Sequence, residues 1–256
     1  MRLSIALITF NEAARLRACL ASVAFADEVV VVDNGSTDGT VELARSLGAR
    51  VLQTPDWPGF GIQKNRAVDM AGGDWVLSID ADEQVTPELR AQILRVIDGA
   101  TKDGCVAYTV NRRSSYCGQY MLHSGWYPDR VLRLFRRGQA RFSDAAVHES
   151  LQASGPVGRL EGDLLHQSFA DFESVLDKVN RYSTASAKAL AARGKQGSVT
   201  KAVAHGVWAF FRTYVLKRGF LDGQLGLALA ISNAEGTYYR YLKLWLIQRP
   251  GRSANP

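Results

Sequence analysis

A chain of 256 residues, 46% hydrophobic and 22% charged, is long enough for one α/β domain with an appendage, and its composition excludes a disordered or fibrous protein. No apolar run approaches the ~18 residues that span a bilayer, and Met1–Phe10 has no signal-peptide cleavage site, which predicts a cytoplasmic protein. The net charge of +6 is carried at one end: Met1–Arg193 holds 22 Lys and Arg against 23 Asp and Glu, and Gly194–Pro256 holds 9 against 2. Such asymmetry predicts an anionic partner for the last quarter of the chain, membrane or nucleic acid.

Strand and helix periods alternate through the first hundred residues. Leu3–Ile8 reads as a strand, and Asn11 as the cap of a helix carrying Leu16, Leu20 and Val23 on one face. Glu28–Val32, with four consecutive valines, suits a strand buried on both faces of a parallel sheet. Asp38 is placed to cap a helix that Gly48 stops. Arg50–Gln53 is a short strand, Ile62–Ala71 a helix, and Trp75–Ile79 another strand. Thr86-Pro87-Glu88 opens a helix with a cap, a proline at its first position and an acid in its first turn. Strands Val106–Asn111 and Val131–Phe135 follow among arginine-rich segments. Helical patterns return after Asp171, with Phe172, Val175, Leu176, Val179 and Tyr182 in one stripe. Beyond a Gly194–Gly197 linker, amphipathic stretches run over Thr200–Phe220 and Gln224–Ile247. The odd, widely spaced Cys19, Cys105 and Cys117 support no disulfide framework and read as reduced and buried.

Strand–helix alternation with short links predicts a parallel sheet flanked by helices, which binds ligands at the carboxyl ends of its strands. Polar residues cluster at those ends: Thr9-Phe10-Asn11-Glu12, Asp33-Asn34-Gly35-Ser36 and Asp80-Ala81-Asp82-Glu83. Two carboxylates, Asp80 and Asp82, at the end of a buried strand demand a cationic partner. Oxygen ligands without a nearby His or Cys in sequence suit Mg²⁺ or Mn²⁺ bridging to phosphates. Asp33, before its glycine turn, is placed to accept from a base N–H or ribose hydroxyls. A solvated turn explains a lone DxD equally well, but not three such strand ends. Gly59-Phe60-Gly61 is no dinucleotide fingerprint, since Lys64 holds its third glycine position.

Leu7-Ile8-Thr9-Phe10-Asn11-Glu12, Val32-Asp33-Asn34-Gly35-Ser36-Thr37-Asp38-Gly39-Thr40 and Ser78-Ile79-Asp80-Ala81-Asp82-Glu83 together resemble the signature of glycosyltransferase family 2. The resemblance covers Met1 to about Phe169. Within that family the chain is similar to the bacterial lipopolysaccharide inner-core β-glucosyltransferases, on Gln63-Lys64-Asn65, Gly125-Trp126-Tyr127-Pro128-Asp129, Arg133-Leu134-Phe135-Arg136 and Val147-His148-Glu149. The resemblance implies a GT-A fold, a Rossmann-like nucleotide-binding sheet flanked by helices, over 1–170. A basic helical extension, a candidate for membrane association, is expected over 171–256.

It also implies an inverting transfer of a hexose, with UDP-glucose the expected donor, to an anionic glycolipid or oligosaccharide of the inner core at the cytoplasmic face of the inner membrane. Thr9, Asn11, Glu12 and Asp33 would hold the uridine, and Lys64 would lie near the donor. Asp82 would bind Mn²⁺ or Mg²⁺ directly, with Asp80 reaching ribose or a metal-bound water and His166 completing the metal shell. Glu149 would be the catalytic base. Trp126, Arg133 and Arg136 would grip the acceptor or the diphosphate. Against these stand the plain readings: an exposed helix lysine for Lys64, a core histidine for His166, and a solvated basic face for the arginines. A transferase acting on a polyprenyl phosphate shares the same N-terminal half. A nucleic-acid-binding module would explain the basic pI but leave Asp33, Asp80 and Asp82 facing phosphates, so no nucleic-acid partner is expected.

Overall fold

The computed structural model describes residues 1–101, 103–143 and 150–249. In chain order the elements are β1 (Leu3–Thr9), α1 (Ala13–Ser22), β2 (Glu28–Asp33), α2 (Thr40–Ser46), β3 (Arg50–Gln53), α3 (Phe60–Met70), β4 (Trp75–Ser78), β5 (Glu83–Val85) and α4 (Pro87–Ile97). They continue with β6 (Ala107–Tyr116), β7 (Gln119–Tyr120), β8 (Asp129–Arg136), β9 (Ala140–Phe142), β10 (Leu151–Ala153), β11 (Val157–Phe169), α5 (Phe172–Ala192), α6 (Val199–Phe211) and α7 (Gly223–Ile247). A π turn, Arg212–Leu216, and a 3₁₀ turn, Gly219–Asp222, join the last two helices.

The chain divides into two compact units, Met1–Arg113 with Asp129–His166, and Ser114–Pro128 with Gln167–Pro256. In the first, β3, β2, β1 and β4 run side by side and parallel, and β8 adds antiparallel to β4. Period-2 alternation explains why this sheet is covered on both faces. Leu3, Ile5 and Leu7 pack with Leu16, Leu20, Leu89 and Ile93 of α1 and α4. Ala6 points the other way, toward Ala67 and Val68 of α3. Because β1 and β2 pair Thr9 with Asp33, their polar last residues finish on one edge of the sheet.

Two helix starts differ from the expected caps. The N-cap of α1 is Glu12, without a side-chain cap bond, and Asn11 adopts φ 56 with its Oδ1 accepting from Thr37 N at 2.9 Å. The N-cap of α2 is Gly39, while Asp38 reaches across to accept from Ala13 N at 3.0 Å. Both side chains are thus used between loops, where they tie the β1–α1 turn to the β2–α2 turn. Of the cysteines only Cys19 is buried; Cys105 and Cys117 are partly exposed.

In the second unit Tyr116, Met121, Val175 and Leu229 form the core, and the Tyr116 hydroxyl lies 2.9 Å from Ser232 Oγ. The expected stripe on α5 is divided, because Val175 is buried but Phe172, Leu176 and Tyr182 are exposed.

Strand β11 has a constriction. Gly162 sits at φ 91, and a Cβ there would lie 2.4 Å from Leu89 N, inside the first turn of α4. Thr86 caps that turn and exchanges bonds with the Asp163 backbone at 3.2 and 3.3 Å. Gly162→Ala is expected to cost roughly 2 kcal/mol or more through positive φ and overpacking together. A urea denaturation midpoint indistinguishable from wild type would refute that account.

Candidate active site

The tip of β4 carries the densest charge in the first unit. Asp80 and Glu83 close a reciprocal turn, Glu83 N donating to Asp80 O at 3.0 Å and Asp80 N to Glu83 Oε2 at 2.9 Å. Arg133, from β8, reaches both acids through Nη2, to Asp80 Oδ2 at 2.9 Å and to Glu83 Oε1 at 2.6 Å. Lys64, from α3, meets the other oxygen of Asp80 at 2.9 Å. Glu83, Arg133 and Lys64 are all buried. The cationic partner that the paired carboxylates demand is therefore, for Asp80, supplied by the protein. Burial pushes the Asp80 carboxyl up, but Lys64 and Arg133 outweigh it and hold the group well below the usual carboxylate range. For Glu83 burial prevails, so its carboxyl is raised despite Arg133. Removing one member of such a buried set typically costs ~3–5 kcal/mol, since the other charge is left without compensation.

Asp82 stands apart from this set. Its Oδ2 lies 3.4 Å from His166 Nε2, and His166 pairs in register with Glu83 across β5 and β11. The β11 segment was not legible as a strand in the sequence, yet it delivers the imidazole to the carboxylate. Glu12 is close enough that Asp82 adds to the raising of its carboxyl, which burial dominates and Arg15 opposes.

Each member of the Gln63-Lys64-Asn65 triplet is buried and has a separate partner. Gln63 Nε2 donates to Thr54 Oγ1 at 2.7 Å, and Lys64 meets Asp80 and lies 5.4 Å from the Phe142 ring centroid. Asn65 makes a two-way bond with the Phe142 backbone at 2.9 and 3.0 Å. The exposed-lysine reading of Lys64 is excluded. Just past Phe142, Ser143 N donates to Ser150 O at 2.9 Å and Ser150 N to Ser143 Oγ at 3.1 Å. Glu149, the expected base, lies outside the described residues. Ser150, which follows it, lines a cleft of about 360 Å³ together with Lys64, Asp80, Arg112, Arg130 and Arg133.

Asp33 is fully buried and accepts four hydrogen bonds, from Gly35 N, Ser36 N, Ser36 Oγ and Thr9 Oγ1, at 2.5–2.9 Å. That is the full capacity of a carboxylate, so here Asp33 shapes its loop from beneath. Asn34 Oδ1 beside it is buried without a partner among the described residues. The sequence places Asn34 and Glu83 in the polar clusters at the strand ends but gives neither a role of its own.

One expectation for the acceptor side changes. Arg136 is opposite Trp75 at the start of β4, while Arg133 is three residues on toward the carboxylate tip. At ~3.3 Å per residue that separates them by about 10 Å along the strand. Arg136 is exposed and stacks on the Trp75 ring at 4.7 Å, so it belongs to the far end of the sheet and is withdrawn from the site. Trp126 packs in the second unit, 5.9 Å from both the Tyr116 and Phe169 rings.

The sequence profile of glycosyl transferase family 2 matches residues 4–151. The chain belongs to that family. Its fold is accordingly GT-A, and the protein is a glycosyltransferase. A glycosyltransferase of Rickettsia prowazekii (strain Madrid E) is 33% identical over 253 residues, covering 95% of this chain and 86% of the relative. The lipopolysaccharide core biosynthesis glycosyltransferase LpsC of Rhizobium meliloti (strain 1021) is 32% identical, covering 93% of each. Among solved structures, TarS 1–349 of S. aureus has a TM-score of 0.47 at 20% identity, over 68% of this glycosyltransferase and 63% of that chain. Glucosyl-3-phosphoglycerate synthase from Mycobacterium tuberculosis, crystallised with Mn²⁺, UDP and glucosyl-3-phosphoglycerate, has a TM-score of 0.38 at 28% identity over 44% of each chain.

The depressed Asp80 group sets a pH dependence. Its stabilising contribution is present above the unfolded value, ~3.9, and is lost as pH falls toward the lower folded value. The stability advantage of wild type over Asp80→Asn is therefore expected to shrink as pH falls from about 6 to about 3. A constant difference in chemical-denaturation free energy across that range would contradict it.

Proposed function

We propose that this glycosyltransferase moves a hexose from a UDP-sugar, with inversion, to a hydroxyl of an anionic lipopolysaccharide inner-core acceptor at the cytoplasmic face of the inner membrane. The observation that carries the reading is the division of labour at the β4 tip, where Asp80 is neutralised by Lys64 and Arg133 and Asp82 faces His166. LpsC, related along nearly its whole length, supports the acceptor class.

One carboxylate and one imidazole, with no third His, Cys, Asp or Glu grouped with them among the described residues, fit a divalent ion that takes its remaining ligands from phosphates and water. Asp82 and His166 would hold Mn²⁺ or Mg²⁺, which when bound offsets the negative charge that gathers on the departing diphosphate. Around it, Thr9 and Asp33 fix the base and ribose end of the donor. Direct contact by Asp33 requires exchange of one internal donor, and the Ser36 hydroxyl is the one that can rotate away. Asn34 Oδ1 offers a further acceptor for a base or ribose donor. Asn11 and Glu12 frame the same edge. Lys64 and Arg133 keep Asp80 ionised and fixed while supplying positive potential for the diphosphate.

Glu149 is proposed as the group that takes the acceptor proton as its oxygen attacks the far face of the anomeric carbon. Its neighbour Ser150 lines the cleft that Lys64 and Asp80 share. Arg112 and Arg130 in that cleft suit an anionic acceptor.

Asp82→Ala is expected to abolish metal-linked UDP binding with the fold intact, read by thermal shift with UDP and Mn²⁺ and with EDTA. Unchanged UDP affinity in all conditions would remove Asp82 from the metal site. Glu149→Gln is expected to lower turnover by ~10²-fold or more while donor Kd stays within a few-fold. Near-normal turnover would place the base elsewhere, with His148 the first residue to examine.

A further inference from the structure

Helix α6 turns its small residues inward and its large apolar residues outward. Ala202, Gly206 and Ala209 are its buried positions, continued by Thr213 in the π turn. A Cβ on Gly206 would come within 3.3 Å of Ala234 O and of Tyr238 Cβ on α7, so the two backbones approach where only glycine fits without a shift. On the other side Val199, Val203, Val207, Phe211 and Val215 recur every four residues, each 41–64% exposed. Trp208, Leu216, Phe220 and Leu221 extend that surface, each about half exposed. Burial from water selects the opposite orientation. Helices in lipid use this one, with small residues in the seam and large apolar side chains outside.

The charges agree. Lys201, Arg212, Lys217 and Arg218 are exposed along the same stretch, and no Asp or Glu occurs from Val199 to Leu221. The acid that ends it, Asp222, is buried and accepts from Leu122 N, His123 N and Ser124 Oγ at 2.9–3.1 Å. The accessible surface is therefore apolar with cationic flanks and no carboxylate. At 13 residues, about 20 Å long, α6 is too short to span a bilayer, and no helix among the described residues is long and apolar enough to do so.

We propose that this face is a docking surface for an anionic lipid bilayer. Helix α6 lies in the plane of the interface, with Val207, Trp208, Phe211 and Leu216 entering to acyl-chain depth and the four cations on lipid phosphates. A second copy of the chain fits the surface less well. A two-fold interface would set the patch against itself and bring like charges together with no carboxylate to compensate. The inference deepens the proposed function by naming how the enzyme reaches a membrane-bound acceptor, but lipid binding does not require that the donor reading be right.

The test uses the full chain with vesicles of phosphatidylcholine alone or mixed with phosphatidylglycerol. Sedimentation should show binding that needs phosphatidylglycerol and weakens with salt. Each charge removal among Lys201, Arg212, Lys217 and Arg218 should weaken it about five-fold. The exposed pair V207D/F211D should weaken it on the order of a hundredfold. Nitroxide lipids should quench the wild-type tryptophan emission more than that of Trp208→Leu. Equal binding to both vesicle types, no binding at low salt, or full binding by V207D/F211D would overturn the proposal. So would a dimer that V207D/F211D dissociates in a chain that does not bind vesicles. UDP-dependent thermal shift on the same variant should match wild type. Loss of that shift in the wild-type chain would count against the donor reading alone.

Discussion

Four charges meet at the end of β4, and the rest of the site is arranged around the need to keep them balanced. Glu83 is fully buried and Asp80 partly so, and carboxylates this close together are not tolerable there without a cation. Arg133 answers both from β8, and Lys64 answers Asp80 from α3. The consequence is geometric as much as electrostatic. A strand, an antiparallel neighbour and a helix are pinned to one point, so the turn that carries Asp82 is held from three elements at once. Asp82 is left as the carboxylate not neutralised by Lys64 or Arg133, and among the described residues it faces the imidazole of His166. The metal and diphosphate site proposed beside it would therefore need little rearrangement of its support.

Helix α3 shows how a short polar run acts on three loops at once. Gln63, Lys64 and Asn65 are consecutive, so on a helix they point about 100° apart. Each meets a different partner: Thr54 after β3, Asp80 after β4, and the backbone at the end of β9. A buried polar triplet is ordinarily unfavourable in a helix packed against a sheet. Here every member is hydrogen-bonded, and the network gives these loops one relative position.

Much of this was legible in the amino-acid order because parallel sheets advertise themselves. The valine run of β2, the capped start of α4 and the glycine stops of the early helices fix both the elements and the edge where ligands meet them. The strand-end carboxylates then point to a cation. What was not legible were contacts distant in sequence. Strand β11 contains Gly158, Gly162 and scattered charges, so no two-residue alternation marks it, and its delivery of His166 to Asp82 depends on pairing with β5. Arg133 and Arg136 look equivalent in sequence, being three apart among apolar residues. Only the antiparallel register with β4 sends one to the tip and the other to the opposite end. Likewise α6 is amphipathic to the eye, but which side faces α7 is decided by the glycine-sized gap at Gly206, which no periodicity reports.

The paired backbones of Ser143 and Ser150, with the Asn65 clasp on Phe142 just before them, have an evolutionary consequence. The stretch between the two serines begins and ends at fixed points supplied by the rest of the domain. Ser143 and Ser150 are bonded to each other, so the pairing of β9 with β10 continues beyond Phe142 and Leu151. A substitution in β9 is therefore felt at Asn65 and, through α3, beside the Lys64–Asp80 contact. Selection that keeps the Lys64–Asp80 contact thereby also restrains Phe142 and its strand, far away in sequence.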